Sequence, residues 1–402
     1  MSRIDQLIEE LCPDGVKHEP ISKVGTFIRG GGPQKKDFTD VGVGCIHYGQ
    51  IYTYYGISAI ETNVFVSDDV ALKSRKASPG DVVIAVTSEN DEDLGKSVAW
   101  LGESPVAVSN HTLIFTSDLD SRFISYFLSS TSFHRQKQRF ITGTKVRALP
   151  ESAFGKIFIP VPPLPVQQEI VRILDLFTQL EAELEAELEA RRKQFEHYRR
   201  LLLESDDSNE QVELGNIAEY VNGKAHERLV TPDGTIPLVT ARFVSRDGQA
   251  NRFVGIDDVK TPVLADDIAM VLSDLPKGRA LARTFYIEND GGYAINQRVA
   301  RIRVLDRERV FPRYLAYVLD RNKALLRYDN GFDQTHLSKA QVTGLKLSFP
   351  PRDTQIRVAA ILDRFVAMVN SLDSGLPAEI SARRKQYEYY RDKLLTFKEL
   401  SA

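Results

Sequence analysis

The chain has 402 residues, 42% of them hydrophobic, and a net charge of −3, which is long for one domain and suits two or three. No run of about 18 apolar residues and no charged-then-apolar leader is present, which argues against a membrane span and a secretory signal; the two cysteines, Cys12 and Cys45, make no metal-type cluster and fit free thiols in a reducing cytoplasm. The mild acidity speaks against nucleic acid only on average: Gln167 to Asp206 holds 10 acids against 6 bases, whereas Lys224 to Lys346 holds 20 Lys and Arg against 15 Asp and Glu.

Ser2 to Glu10 reads as a short amphipathic helix with Ile4, Leu7, Ile8 and Leu11 on one side, ended by the turn Cys12-Pro-Asp-Gly15. A first globule opens at Glu19-Pro-Ile-Ser-Lys-Val-Gly-Thr-Phe-Ile-Arg-Gly30. Inside it, Asp81-Val-Val-Ile-Ala-Val, Lys96-Ser-Val-Ala-Trp-Leu and His111-Thr-Leu-Ile-Phe read as strands. A helix capped by Ser121 follows, with Phe123, Phe127 and Leu128 on its apolar side. The segment from Phe133 to Arg147 comes next, and Lys156-Ile-Phe-Ile-Pro-Val closes the globule.

From Val166 to Leu203 there is neither Gly nor Pro. Leu180, Leu184 and Leu188 recur every four residues among Glu and Ala, so they share one face of a helix roughly 57 Å long. A single leucine stripe on so charged a rod needs a covering helix, and the chain supplies one. Ala190-Arg-Arg-Lys-Gln-Phe-Glu-His-Tyr-Arg returns as Ala382-Arg-Arg-Lys-Gln-Tyr-Glu-Tyr-Tyr-Arg, an offset of 383 − 191 = 192. Gln167, Ile173-Leu-Asp and Phe177 return as Gln355, Ile361-Leu-Asp and Phe365, an offset of 363 − 175 = 188. The second rod keeps the spacing of four at Met368, Leu372, Leu376 and Ile380, and Gly375-Leu-Pro377 marks a kink or restart.

The globules repeat as well. Val212-Glu-Leu-Gly-Asn-Ile opens a second one, with strands at Asp267-Ile-Ala-Met-Val-Leu, Ala280 to Ile287 and Val299-Ala-Arg-Ile-Arg-Val. A helix is expected from Phe311 to Tyr328, then a polar loop from Asp329 to Leu337. The order globule, rod, globule, rod predicts an α/β chain in which two antiparallel rods hold two unlike globules at opposite ends of a stalk. The expected divisions are 1–161, 162–205, 206–349 and 350–402.

Pro-Pro-Leu-Pro-Val-Gln-Gln-Glu-Ile-Val-Arg-Ile-Leu-Asp175, Arg-Arg-Lys-Gln-Phe-Glu-His-Tyr-Arg199 and the C-terminal Arg-Lys-Gln-Tyr-Glu-Tyr-Tyr-Arg-Asp-Lys-Leu-Leu-Thr-Phe-Lys398 resemble the helical regions of type I restriction-modification specificity subunits. The Leu-Glu-Ala-Glu array resembles their tetrapeptide-repeat, IC-like subfamily. The resemblance implies a non-catalytic subunit with two target recognition domains, each reading half of a split, asymmetric site in double-stranded DNA. It also implies that the rods fix the spacer as an antiparallel coiled coil and dock two methyltransferase subunits. Those subunits carry the S-adenosylmethionine, so this chain needs no cofactor, and a restricting complex adds two translocase–nuclease subunits.

Candidate DNA contacts in the first globule are Arg135, Lys137, Arg139, Thr142, Gly143, Thr144, Lys145 and Arg147, interleaved with Gln136 and Gln138. Lys and Arg neutralise phosphates, and Arg and Gln can read base edges bidentately. The second globule offers Arg321, Lys323 and Arg327 for phosphates and Asn330, Gln334, Thr335 and His336 for bases, with Lys277, Arg279 and Arg242 beside them. Gly30 to Lys36 and His47-Tyr-Gly-Gln50 are further loops; the glycine run lacks the ending of a phosphate-binding P-loop. Tyr198, Tyr389 and Tyr390 fit either a rod–rod seam or a docked partner. Two other readings stay open on the residues alone: a stand-alone DNA-modifying enzyme, and a coiled-coil adaptor without DNA affinity. The scattered histidines, and the lack of a Gly-x-Ser-x-Gly elbow, an Asn-Pro-Pro-Tyr-type motif or a glycine-rich S-adenosylmethionine loop, give the enzyme little support.

Overall fold

The computed structural model describes residues 2–203, 211–246, 248–275, 278–370 and 376–400, with side chains masked at 368–370. The chain divides into two compact units. The first runs up to Glu185 and takes in the residues from Ile380 onward; the second runs from Ala186 to Glu379.

In the first unit, the buried run Val-Val-Ile-Ala becomes the central strand Val82–Ala85. Its alternation serves two cores: Val82 and Ile84 face one apolar cluster, Val83 and Ala85 another. The sheet order is Gly25–Arg29, Thr112–Ser117, Val82–Ala85, Ser97–Trp100, Ser58–Ala59. All pairings are antiparallel except the last. A second sheet places Val43–Ile46 between Val64–Val66, antiparallel, and Val106–Val108, parallel. The strand Phe158–Pro160 closes the unit against His18–Pro20.

The second unit repeats this frame. Its sheet runs Ala218–Asn222, Val299–Val304, Ile268–Val271, Thr284–Tyr286. Ile268 and Met270 face one cluster, Ala269 and Val271 the other. Ile236–Val239 again has an antiparallel and a parallel neighbour, Phe253–Val254 and Ala294–Ile295. The repeat inferred from the globule edges therefore extends through the interiors, although few of their residues match.

Three local expectations change. The helix Ser121–Leu128 is capped by Asp120, not Ser121, because the Asp120 carboxylate accepts from the amides of Arg122 and Phe123. The expected strand Ala280 to Ile287 shortens to Thr284–Tyr286, since Ala282 takes a left-handed turn with φ 57°. The single helix expected from Phe311 to Tyr328 is two, Pro312–Leu319 and Lys323–Leu326. Arg321 breaks it at φ 49°, its amide donating to the Ala282 carbonyl, and Asn322 caps the fresh turn.

The first rod is one helix, Leu164–Leu203, of 40 residues. Val166, Ile170, Val171 and Leu174 sit in the first unit's core, so this end of the rod is part of its domain. Gln167 fixes the joint: its amide oxygen accepts from Asp120 N at 2.9 Å and its amide nitrogen donates to Pro162 O at 2.7 Å. Asp175 takes Arg122 at 2.8 Å and the hydroxyl of the buried Tyr126 at 2.7 Å. In the second unit Gln355 accepts from Phe311 N at 2.9 Å and donates to Pro350 O at 2.8 Å. Asp363 takes Arg313 and Tyr317, both at 2.6 Å. The repeated Gln and Asp noted in the sequence are thus two copies of one clamp.

The second rod contains the helices Arg352–Asn370 and Leu376–Leu394, and the kink or restart expected at Gly375 falls outside the described residues. In the first unit, Phe177 stacks on Tyr390 with centroids 5.5 Å apart, and Arg384 bridges Glu181 and Glu185, so these helix segments run antiparallel. Leu184 and Ile380 are buried there and Leu180 half-buried. In the second unit, Tyr198 stacks on Phe365, also at 5.5 Å, and Leu188 and Leu376 are half-buried. The Phe and Tyr have exchanged rods between the two units. The Met368 side chain and Leu372 lie outside the described residues.

Asp175→Ala should cost about 1–3 kcal/mol, because the hydroxyl of the buried Tyr126 loses its acceptor, and Asp363→Ala should cost toward the lower end of that range, because Tyr317 is only half-buried. Urea denaturation of the two variants checks this; unchanged midpoints would show that the clamp contributes nothing.

Candidate nucleic-acid interface

Each unit carries a loop tied to the end of its central strand. In the first, Phe133 plugs the helix Thr131–Lys137 into the core, and a 3-10 turn, Gln138–Phe140, leads outward. Thr142 and Ala148 exchange amide–carbonyl bonds of 2.9 Å, and Arg147–Ala148 pairs with Thr87–Ser88. Between them the chain reverses at Gly143, whose φ is +88°; a β-carbon there would lie 2.1 Å from the Val146 carbonyl oxygen. This leaves Thr144, Lys145 and Val146 exposed at the tip.

Arg147 braces the loop. Its guanidinium forks onto Asp91 and also donates to Gly143 O at 2.5 Å. That partner holds the Asp91 carboxyl below the usual range. Thr142 likewise donates to Ala148 O at 3.3 Å. Arg135, Arg139 and Lys145 are exposed.

Lys137 is a correction. Its side chain is 1% exposed, and its ammonium donates to the carbonyls of Glu92 at 2.9 Å and Leu94 at 2.5 Å. Burial pushes its pKa down to about 8. The helical periodicity that placed it among the basic residues also turned it inward, where it ties the acidic loop before Leu94 to the helix. Gln136 is internal too: it exchanges hydrogen bonds with the backbone of Phe158 on the closing strand. His47 and Gln50 form a reciprocal N-cap on the helix Tyr48–Thr53.

In the second unit Leu325 takes the place of Phe133, and Thr335–His336 pairs with Ser273–Asp274. The strand end is the counterpart of Thr87–Ser88 at an offset of 274 − 88 = 186. The loop between is built from its own polar side chains. Asn330 Oδ1 accepts from the amides of Phe332 and Asp333; Asp329 Oδ1 accepts from Gly331 N and from the Thr335 hydroxyl. Gln334 donates to Ser273 Oγ at 3.0 Å. Arg321 reaches across to the Arg279 carbonyl at 2.7 Å.

The structure therefore brings Arg279, Arg321, Gln334, Thr335 and His336 to one loop cluster, with Lys323 and Arg327 exposed on the preceding turn. Asn330 and Thr335 act as loop builders with part of their polar capacity. Arg242 is exposed on the short helix Ala241–Ser245. Lys277 lies outside the described residues.

Two neighbours of the first loop, Tyr52 and His111, escaped sequence reasoning. Tyr52 donates to Thr87 O at 2.5 Å, and Tyr48 meets His111 edge-on at 5.3 Å, with His111 at the strained φ of 68°. A strained non-glycine residue beside a candidate surface is a feature of functional sites. The signal in the sequence was the 186-residue offset, which maps Ser273–Asp274 back onto Thr87–Ser88.

A model of the type I restriction modification DNA specificity domain matches residues 13–190 and again 207–382. A putative type I restriction enzyme specificity subunit of Haemophilus influenzae is 30% identical over 300 residues, covering 71% of this chain and 75% of that one. The EcoR124I/EcoR124II specificity subunit of Escherichia coli is 31% identical over 260 residues, covering 60% and 63%. Among solved structures, the S subunit of a type I system from M. genitalium superposes with a TM-score of 0.53 at 15% identity, covering 94% of this chain and 96% of that one. A chain from a type I R-M system studied for its assembly gives 0.61 at 15%, covering 96% and 98%. The chain belongs to the type I restriction-modification DNA specificity family. With two copies of the domain joined by long helices, it has the layout of that family's specificity subunits. Among the described residues, no helix is long and apolar enough to cross a membrane.

Arg139→Ala and Lys145→Ala should each lower the salt slope of DNA binding by about 1 while leaving stability near that of the wild type. Lys137→Ala should instead cost about 1–3 kcal/mol of stability through lost internal hydrogen bonds. Because the folded pKa of Lys137 lies below its unfolded value of about 10.4, the wild type should gain on this variant as pH rises from about 8 toward 10. Salt-titrated binding and urea melts across pH separate the two classes; a salt-slope change from Lys137→Ala at unchanged stability would return it to the interface.

Proposed function

We propose that this chain is the non-catalytic DNA-reading subunit of a type I modification complex, each unit recognising one half of a split site. The observation that carries this reading is a repeated frame with unrepeated loops. Both units tie a loop to the end of the central strand by a two-residue pairing. Yet one loop reads Thr-Gly-Thr-Lys-Val-Arg147 and the other Asp-Asn-Gly-Phe-Asp-Gln-Thr-His336. A homodimer-like reader with two identical loops would recognise a palindrome; two unlike loops fit an asymmetric target.

The chain's own part is to bind and position. The S-adenosylmethionine and the methyl transfer belong to two methyltransferase subunits docked on it, and translocase–nuclease subunits join in a restricting complex. Relatives named as restriction enzyme specificity subunits support this division of labour. So does the rod surface: Tyr389 remains 61% exposed, although Tyr198 and Tyr390 are stacked. A DNA-bound subunit of this kind works in the cytoplasm. The domain limits 1–161, 162–205, 206–349 and 350–402 are proposed as its exchangeable parts.

Two outcomes test the reading by methylome sequencing. Replacing residues 142–147 with the corresponding loop of a relative should change the bases in one half of the methylated motif and leave the other half intact. Deleting Leu184–Glu187 removes about 6 Å of helix, so the gap between halves should shrink by one or two base pairs at about 3.4 Å each, with both halves unchanged. A loop exchange that alters both halves, or a deletion that leaves the gap as it was, contradicts the assignment.

A further inference from the structure

The tip of the second unit's loop holds a phenylalanine in water. Phe332 is 86% exposed. It is not slack chain: Asn330 Oδ1 clasps the amides of Phe332 and Asp333, and Gly331 sits at φ +72° with its amide on Asp329. The pairing of Thr335 and His336 with Asp274 and Ser273 fixes the base of the loop, and Leu337 is buried just behind. The turn thus holds the ring outward although an apolar core lies a few residues away. Leu275, next to the paired Asp274, is 68% exposed, and Tyr328 is 49% exposed. Exposed Arg279, Arg327 and His336 stand on the segments that flank or pair with this loop, and Asp333 is exposed beside the ring.

The first unit has a lesser version, with Val146, 61% exposed, between Lys145 and Arg147. An apolar tip on a loop flanked by exposed arginines suits a duplex better than a protein partner. The arginines meet phosphates, and the tip goes where the backbone charge ends, against the bases. Apolar side chains that enter a duplex this way wedge between base steps and unstack them.

We propose that Phe332 inserts its ring at one base step of the half-site read by the second unit, making that step's deformability part of the recognition. The proposal rests on the two-half-site reading given above. Val146, with a short branched side chain, touches base edges without opening a step, and so serves as the internal comparison. The specificity added is for an easily unstacked step, such as a pyrimidine–purine step, rather than for a hydrogen-bonding pattern.

The test uses the full chain assembled with its methyltransferase subunits, and a duplex carrying the motif the assembly methylates. 2-Aminopurine is placed at each position of both halves in turn. Wild-type binding should raise the fluorescence at one step of the second unit's half. Phe332→Ala should abolish that rise and weaken binding about tenfold, within the range found when stacked aromatic residues are removed. Phe332→Trp should keep the binding, and no step of the first unit's half, where Val146 stands, should brighten. Because Phe332 is exposed, its thermal midpoint should not move, which separates a lost contact from misfolding. Equal fluorescence profiles and affinities for wild type and Phe332→Ala would overturn the proposal. So would weakened assembly with the methyltransferase subunits in the absence of DNA, which would make the ring a protein contact. Failure of the wild-type assembly to prefer its own motif is a different result, and rejects the underlying reading instead.

Discussion

A buried glutamine and an aspartate, used twice, hold the architecture together. Gln167 and Gln355 each join a rod's first turns to the backbone in front of a domain helix, and Asp175 and Asp363 each grip an arginine and a tyrosine on that helix. Neutral amides and a shared carboxylate do what a hydrophobic contact alone cannot: they set the angle at which the helix leaves its domain, since hydrogen bonds are directional and dispersion is not. A reader whose halves must stay in register needs this joint stiff. Arg313 reinforces the second joint by lying 4.7 Å over the Tyr286 ring.

The recognition loops obey the opposite rule. Their bases are fixed by short strand pairings and by braces such as Arg147 to Asp91, while their tips are polar, cationic or apolar and face water. Such division lets the tip vary without disturbing the fold. Within the acidic stretch from Glu89 to Asp93, Asp91 is taken by Arg147 and Asp93 by Lys96 at 2.7 Å. The overall charge of −3 is therefore a poor measure of what a phosphate would meet.

Much of the fold was legible because it is periodic. The leucines every four residues and the alternating strand Val82–Ala85 both carry their geometry in their spacing. The break at Arg321 was not, because it is enforced from outside the helix by the Ala282 carbonyl. The site was legible as segments but not as residues. Lys137 and Arg147 looked alike in composition to Arg139 and Lys145, yet one is buried and the other is a brace. Only tertiary contacts tell a cation that holds a loop from a cation that the loop presents. Phe332 went unnoticed for the converse reason, since a lone aromatic residue in a polar run carries no sign of which way it faces.

The central claim is that one chain carries two unlike readers. The most direct measurement is to express it with its methyltransferase in cells lacking other DNA methylation and map the modified bases. The account predicts one interrupted motif, its two halves different in sequence and separated by a constant number of unspecified bases. A continuous or palindromic motif, or modification that is indifferent to this chain, would contradict it.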